Sequence, residues 1–188
     1  MYRDSPDPRD RLLDAALQQW SDHGWNTVTV TGAAATADVD PDEFREEFPT
    51  DIELLCTIFD DSSEERGAAA IEAMDGAADG VSRWRASIES FVTLLEDDPR
   101  HAVVLVQAVG SPELQARRRS SYRGFAAVMV SQSTRSSPEP RAHSAAAHFC
   151  IGGLTELTLA WMDPSTDVDR DIVVSEASML FELVMAGG

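Results

Sequence analysis

Residues 27–55 read TVTVTGAAATADVDPDEFREEFPTDIELL, and the punctuation of this stretch decides the fold. Thr29 is placed to cap a short helix through Gly32, Ala33, Ala34, Ala35, Thr36 and Ala37, because its hydroxyl can accept one of the orphan N–H groups of the first turn. Asp38 follows, a residue that tolerates a sharp turn better than most non-glycine residues. Asp40-Pro41-Asp42-Glu43 then sets a cap, a proline at the first helical position and acids in the first turn. That opens a third helix, which must end by Phe48 because Pro49 follows. Thr50-Asp51-Ile52-Glu53 has the form of a capping box and starts a fourth helix running to about Gly76.

The same grammar extends outward. Asp7-Pro8-Arg9-Asp10 opens a first helix, Leu13, Ala16, Leu17 and Trp20 recur at helical spacing, and Gly24 supplies the stop, which bounds the helix near residues 8–23. Beyond the fourth helix, helical patterns are expected at about 81–97, 100–109, 112–133, 139–162 and 168–186, with Pro99, Pro112, Pro138, Pro140 and Pro164 in gaps or at helix starts. No window alternates apolar and polar residues between hairpin turns, so the expected fold class is all-α. The expected division is a three-helix helix-turn-helix head over residues 1–50 and a helical body over residues 51–188.

Composition narrows the function classes. With 43% apolar residues, four Trp and seven Phe the 188-residue chain can bury a core. It contains no apolar run long enough to span a bilayer and no secretory stretch at the N-terminus, so the expectation is a cytoplasmic protein with no membrane partner. Cys56 and Cys150 sit in apolar helix-like segments and read as buried thiols of a reducing compartment. All 15 basic residues are Arg, against 33 acids, for a net charge of −18. Such a balance repels polyanions, so any nucleic-acid role must overcome it.

No phosphate loop, HExxH, paired CxxC or G-x-S-x-G elbow is present, and no enzyme, cofactor or metal is expected. His143 and His148, five residues apart, do not share a helical face as a metal pair would. The acids Asp163, Asp167, Asp169 and Asp171 lack the glycine and glutamate of a calcium loop and read as a solvated connection.

Gly24, Thr29-Val30, the Ala-rich second helix, Val39, Pro41, Phe44, Phe48-Pro49 and Leu54-Leu55 together resemble the TetR family of transcriptional regulators. The segment IGGLTELTLAWM at Ile151–Met162 is similar to that family's dimerisation region. The resemblance implies a ligand-responsive, DNA-binding regulator, a repressor, acting as a homodimer on operator DNA and answering to a small apolar effector. The DNA-contacting positions it implies are Thr29, Thr31, Asp42, Glu43, Arg45, Glu46 and Thr50.

The local chemistry departs from that frame. Asp42 and Glu43 stand where the family has Gly and a small polar residue, Arg45 where an aromatic is common, and Asp51 where a phosphate-binding Lys is frequent. Residues 40–53 carry seven acids against Arg45, and residues 1–50 have a net charge of −7, with Arg3, Arg9, Arg11 and Arg45 as their bases. Three readings stay open. Carboxylates can accept from cytosine amino groups while helix N-termini hold phosphates; salt or divalent cations can screen the repulsion; or the head persists as scaffold. In the last case the protein is a dimeric module of the same fold that binds a ligand or a protein and has lost DNA binding.

In the body, Trp84, Ile88, Phe91 and Leu95 share one helical face, and Tyr122, Phe125 and Met129 another. These, with Gln107, Arg118 and His148, are the expected ligand-binding residues, Thr155 adding a further polar group; Arg118 would turn from the Arg117–Arg119 cluster toward an anionic ligand. The expected dimer interface uses the last two long helices through Ala145, Phe149, Gly152, Gly153, Val173, Ala177, Leu180 and Val184.

Overall fold

A computed structural model describes residues 7–78, 80–133 and 140–187. The ends of its first two helices have causes legible in the local sequence, and no strand occurs among the described residues. Helix α1 spans Pro8–His23, where Asp7 accepts from the Arg9 N–H and Gly24, at φ 89°, returns its own N–H to the Trp20 carbonyl. Helix α2 spans Val30–Ala37; the Thr29 hydroxyl accepts from the Gly32 N–H at 3.0 Å, and Asp38 ends it in the left-handed region at φ 54°. The helices that follow are α3 (Asp51–Asp75), α4 (Gly80–Asp97), α5 (Arg100–Gln107), α6 (Pro112–Gln132), α7 (Pro140–Met162) and α8 (Arg170–Glu182), the last running on into a wider turn at Leu183–Gly187.

The expected third helix is different. In its place stands one 3₁₀ turn, Pro41–Phe44, carried through Glu47 by turn residues. A full α-helix here would stack Asp42 under Glu46 and Glu43 under Glu47 at i,i+4, each pair repelling, and Phe48 is kept from the α region by Pro49. The turn is held instead from inside: Phe44 and Phe48 are buried with ring centroids 6.5 Å apart, and the Phe48 N–H reaches the Phe44 carbonyl at 2.7 Å. The cap of α3 also differs in detail. Glu53 reaches back to the Thr50 N–H as expected, but the Thr50 hydroxyl donates to that same carboxylate at 2.8 Å.

Packing divides the chain into two compact units, one holding the chain up to Ser63 with Asp98–Arg118, the other Glu64–Asp97 with Arg119 onward. The first is called the head below, and it takes in more of the chain than residues 1–50. Its core gathers Leu12, Ala16 and Trp20 of α1, Ala33 and Ala34 of α2, Leu54, Leu55, Ile58 and Phe59 of α3, Val104 and Ala108 near α5, and Leu114 of α6. Trp20 is fully buried, and its Nε1–H donates to the Gln107 Oε1 at 3.1 Å. An indole of this size contributes about 4–6 kcal/mol by burial as an upper bound, and the hydrogen bond spares it the desolvation cost of an orphaned N–H.

The second unit, the body, is built around α4, α7 and α8, with α8 packed on both others. Its core holds Met74, Trp84, Ile88, Val92, Ala126, Met129, Ala147, Cys150, Val173, Val174, Ala177 and Phe181, with Trp84 edge-on to Phe181 at 6.0 Å. Asp169 caps α8 by accepting from the Ile172 N–H, which accounts for one acid of the 163–171 run.

Candidate functional site

The head presents the residues expected to meet DNA. Thr29, Thr31, Asp42, Glu43, Arg45, Glu46 and Thr50 are all exposed. The buried Phe44 and Phe48, with Val39 and Ile52 packed on the same core, fix the segment between them, so Asp42, Glu43, Arg45 and Glu46 stand on a short, firmly anchored turn.

Two of the electrostatic links of this surface, Arg9 to Glu47 and Val30 to Asp51, were not legible in the sequence, because they join residues 38 and 21 apart in the chain. Arg9 Nε donates to Glu47 Oε1 at 2.7 Å, and this carboxylate, ahead of the opposing effect of burial, raises the guanidinium's hold on its proton. Arg45 Nε donates to Asp42 Oδ1 at 2.7 Å across one turn. The N–H of Val30, the first residue of α2, donates to Asp51 Oδ1 at 2.8 Å. Arg11 sends Nη1 to the Ala37 carbonyl at the far end of α2, where the helix dipole favours a cation. Arg3, the fourth base expected in this region, lies outside the described residues.

The body brings most of the expected ligand residues together. Trp84, Ile88 and Met129 are buried in one cluster, and Phe91, Tyr122 and Phe125 pack against it half-buried. The Tyr122 hydroxyl lies 2.7 Å from the Thr155 hydroxyl, which in turn donates to the Ile151 carbonyl at 3.0 Å, so Tyr122 is the donor of the pair.

Two expected ligand residues are placed elsewhere. Gln107 belongs to the head, where its side-chain oxygen accepts from Trp20 and from the Trp25 N–H at 3.3 Å. Arg118 is half-buried on α6, one turn before Tyr122, while His148 is exposed on α7. The reason for the last is periodicity: the buried positions of α7 are His143, Ala147, Cys150, Ile151, Thr155 and Thr158, which turns residue 148 outward.

The buried cation of the body is Arg66, which the sequence reading passed over. It is 3% exposed, and burial pushes its pKa down to about 10, against the opposing pull of Tyr122 and Glu65. A signal existed: residue 66 falls seven after Phe59 and eight before Met74, on the inward stripe of α3. Arg83 Nε, on α4, donates to the Met74 carbonyl in the same unit.

On α7 and α8 a run of apolar side chains remains exposed: Phe149 at 71%, Leu183 at 63%, Met179 at 56%, and Leu180, Met162 and Ile172 near 40%. Ala145 and Gly153 are exposed, and a Cβ added at Gly152 or Gly153 would meet nothing. Val184 is half-buried against the body core. Val173 and Ala177, expected at a dimer interface, are instead fully inside the body, because α8 turns the face of 173, 174, 177, 178 and 181 inward. Its outward face is Ile172, Met179, Leu180 and Leu183.

No protein-family model matches the sequence, and no curated protein aligns with it significantly. Solved structures do. A TetR-family transcription regulator from Shewanella sp. PV-4 superposes with a TM-score of 0.75 at 17% identity, covering 97% of this chain and all of that one. A TetR-family regulator from Rhodococcus sp. gives 0.76 at 16% identity over 95% and 98%. The transcriptional regulator FadR from Bacillus subtilis, in complex with stearoyl-CoA, gives 0.76 at 17% identity over 96% and 99%. The chain has the TetR-type fold across nearly its whole length.

Proposed function

We propose that the protein is a dimeric, ligand-responsive transcriptional regulator of the TetR type, with a DNA-reading head over about residues 1–50, a repressor rather than an enzyme, working in the cytoplasm. The observation that carries the reading is the head: a capped α1, a left-handed turn at Asp38 and an exposed, core-anchored turn at 41–47 in a chain that matches such regulators end to end. Thr29, Thr31, Thr50 and Arg45 would hold phosphates, with Asp42 beside Arg45, and Glu43 and Glu46 would face base edges, where carboxylates accept from cytosine amino groups.

The exposed apolar face of α7 and α8 supports an isologous four-helix interface through Phe149, Gly152, Gly153, Met179, Leu180 and Leu183. The effector would be apolar and would enter among Trp84, Ile88, Phe91, Tyr122, Phe125 and Met129, favouring one of two head arrangements in the dimer. That a similar protein holds stearoyl-CoA makes a long-chain acyl compound the first class to try.

A second reading, a dimeric ligand- or protein-binding module that no longer touches DNA, is favoured by the carboxylates set against Arg9, Arg45 and the start of α2. Titrating the purified protein against its own upstream DNA and a random duplex, at several salt concentrations and with stearoyl-CoA added, separates the two. The regulator reading expects preference for the upstream fragment, a shallow salt slope and a response to the acyl ligand. No binding to any upstream fragment at low salt with magnesium present supports the module instead.

A further inference from the structure

Cationic side chains and helix N-termini are the groups that give a protein surface its affinity for nucleic-acid backbone. In the head, three such groups each meet a carboxylate of the same chain: Arg9 meets Glu47, Arg45 meets Asp42, and the first N–H of α2 meets Asp51. The contacts come from different places in the sequence, 38, 3 and 21 residues apart. The Asp51 contact is the most telling. An oxygen of an anion placed 2.8 Å from the first N–H of a helix is the geometry in which a phosphate oxygen would be received. Asp51 reaches it from the first residue of α3, so the link is fixed at both ends by capped helices.

We propose that Glu47, Asp42 and Asp51 are built-in competitors for phosphate, holding the head in a low-affinity state toward nucleic-acid backbone that it leaves only when those carboxylates are neutralised or displaced. This rests on the regulator reading only in taking the head as the surface that meets DNA. Exposed ion pairs of this kind are individually weak, so the pairs by themselves would not exclude a phosphate. What excludes it is the aftermath. Each displaced carboxylate stays tethered next to the incoming phosphate, among the other acids of residues 40–53, and repels it. The arrangement converts a frame suited to DNA into one whose binding depends on charge neutralisation rather than on counterion release.

The test is a triple substitution, Asp42→Asn, Glu47→Gln and Asp51→Asn, beside Asp51→Asn alone. Each new side chain keeps an oxygen that can accept the same hydrogen bond while losing its charge, so the head keeps its shape; circular dichroism and a thermal melt check this. Binding to a random-sequence 30-base-pair duplex is followed by fluorescence anisotropy from low to moderate salt. The triple variant should bind at least about tenfold tighter at low salt, and its log–log salt slope should steepen by about 2, close to 0.9 for each of the two freed arginines. Asp51→Asn alone should tighten binding with little change of slope, since it frees a dipole and no cation. A folded triple variant with the wild-type affinity and slope overturns the proposal. Whether the wild type prefers its upstream fragment over the random duplex is read separately, and judges the regulator reading without touching this one.

Discussion

The head and the body both pair charges within themselves, as Arg85 with Glu89 and Arg170 with Glu96 do in the body, but they differ in the apolar side chains they leave exposed. The head answers its own charges: Arg9, Arg45 and Arg100 meet carboxylates within the unit, Trp20 meets Gln107, and two of the first three N–H groups of α2 meet side-chain oxygens. The body leaves Phe149, Leu183 and Met179 more than half exposed on two adjacent helices. Single exposed apolar residues are ordinary, but a run of six on one pair of helices is not. The difference is one of degree: among the described residues the head exposes Val106 and Val109, whereas α7, α8 and the turn after α8 expose larger side chains in greater number, and charging that face tests for an apolar cover on it.

The largest way to break this contrast is to charge the body's apolar face. Phe149→Asp combined with Leu183→Asp should turn a dimer into a monomer at micromolar concentration. Central apolar anchors cost about 2 kcal/mol or more each when lost, so the two together should raise the dimer's dissociation constant by roughly 1,000-fold or more. Both side chains are exposed in the single chain, so helix content should be unchanged. Sedimentation and circular dichroism together check it. A double variant that still dimerises places the interface on another surface.

A smaller effect separates glycines that serve the fold from glycines that serve the face. At Gly110 an added Cβ would overlap the half-buried Trp25 indole, which packs on the head core and would have to shift. Gly110→Ala should cost the head about 2 kcal/mol by overpacking, seen as a lowered midpoint in urea. At Gly153 the added methyl meets open space. Gly153→Ala should leave the single chain as stable or slightly more so, alanine being the better helix former, and should weaken the dimer instead. Equal losses of stability in the two variants would erase the distinction.

How far the sequence could be read follows from the range of the interactions. Short-range signals were legible: the Asp7 and Thr29 caps, the Gly24 stop and the Asp38 turn all stand where local chemistry put them. The third helix failed because residues 41–48 satisfy the rules for starting a helix while their i,i+4 acids oppose its continuation. In the body, Trp84, Ile88 and Met129 lie in one buried cluster, as their periodicity implied. Periodicity gave the wrong face for Val173 and Ala177, since an apolar stripe on α8 does not say whether its own core or a second chain will cover it. The long-range contacts of Gln107 and Asp51 went unforeseen for another reason. Their partners, Trp20 and Val30, lie 87 and 21 residues away, and nothing local announces a hydrogen bond across such a gap.

The smallest effect probes the head's self-sufficiency through pH. Asp98 receives Arg100 Nη2 at 2.6 Å, Arg100 Nε at 2.9 and 3.0 Å and the Arg100 N–H at 3.0 Å, while Arg100 Nη1 continues to Asp14 at 2.8 Å. The Arg100 side-chain hydrogen bonds, ahead of the opposing effect of burial, hold the Asp98 carboxyl below the usual carboxylate range. A carboxyl whose folded pKa is depressed adds stability that is fully present above its unfolded pKa, about 3.9, and is lost as pH falls through the lower folded value. With its side chain 28% exposed the pair is partly screened, so Asp98→Asn should cost about 1 kcal/mol at pH 7. Urea midpoints for wild type and variant should therefore differ at pH 7 and 5 and converge as pH falls through the lowered folded value, where the wild-type carboxyl is protonated too. The matching change in the body, Glu96→Gln, removes the partner of Arg170 from a more exposed surface pair, with side chains 37% and 40% exposed, and should shift the midpoint little at any pH. A gap for Asp98→Asn that persists unchanged once the wild-type carboxyl is protonated would mean that the residue matters for its turn before α5 and not for its charge, and one of the head's self-answered ion pairs would drop out of the contrast.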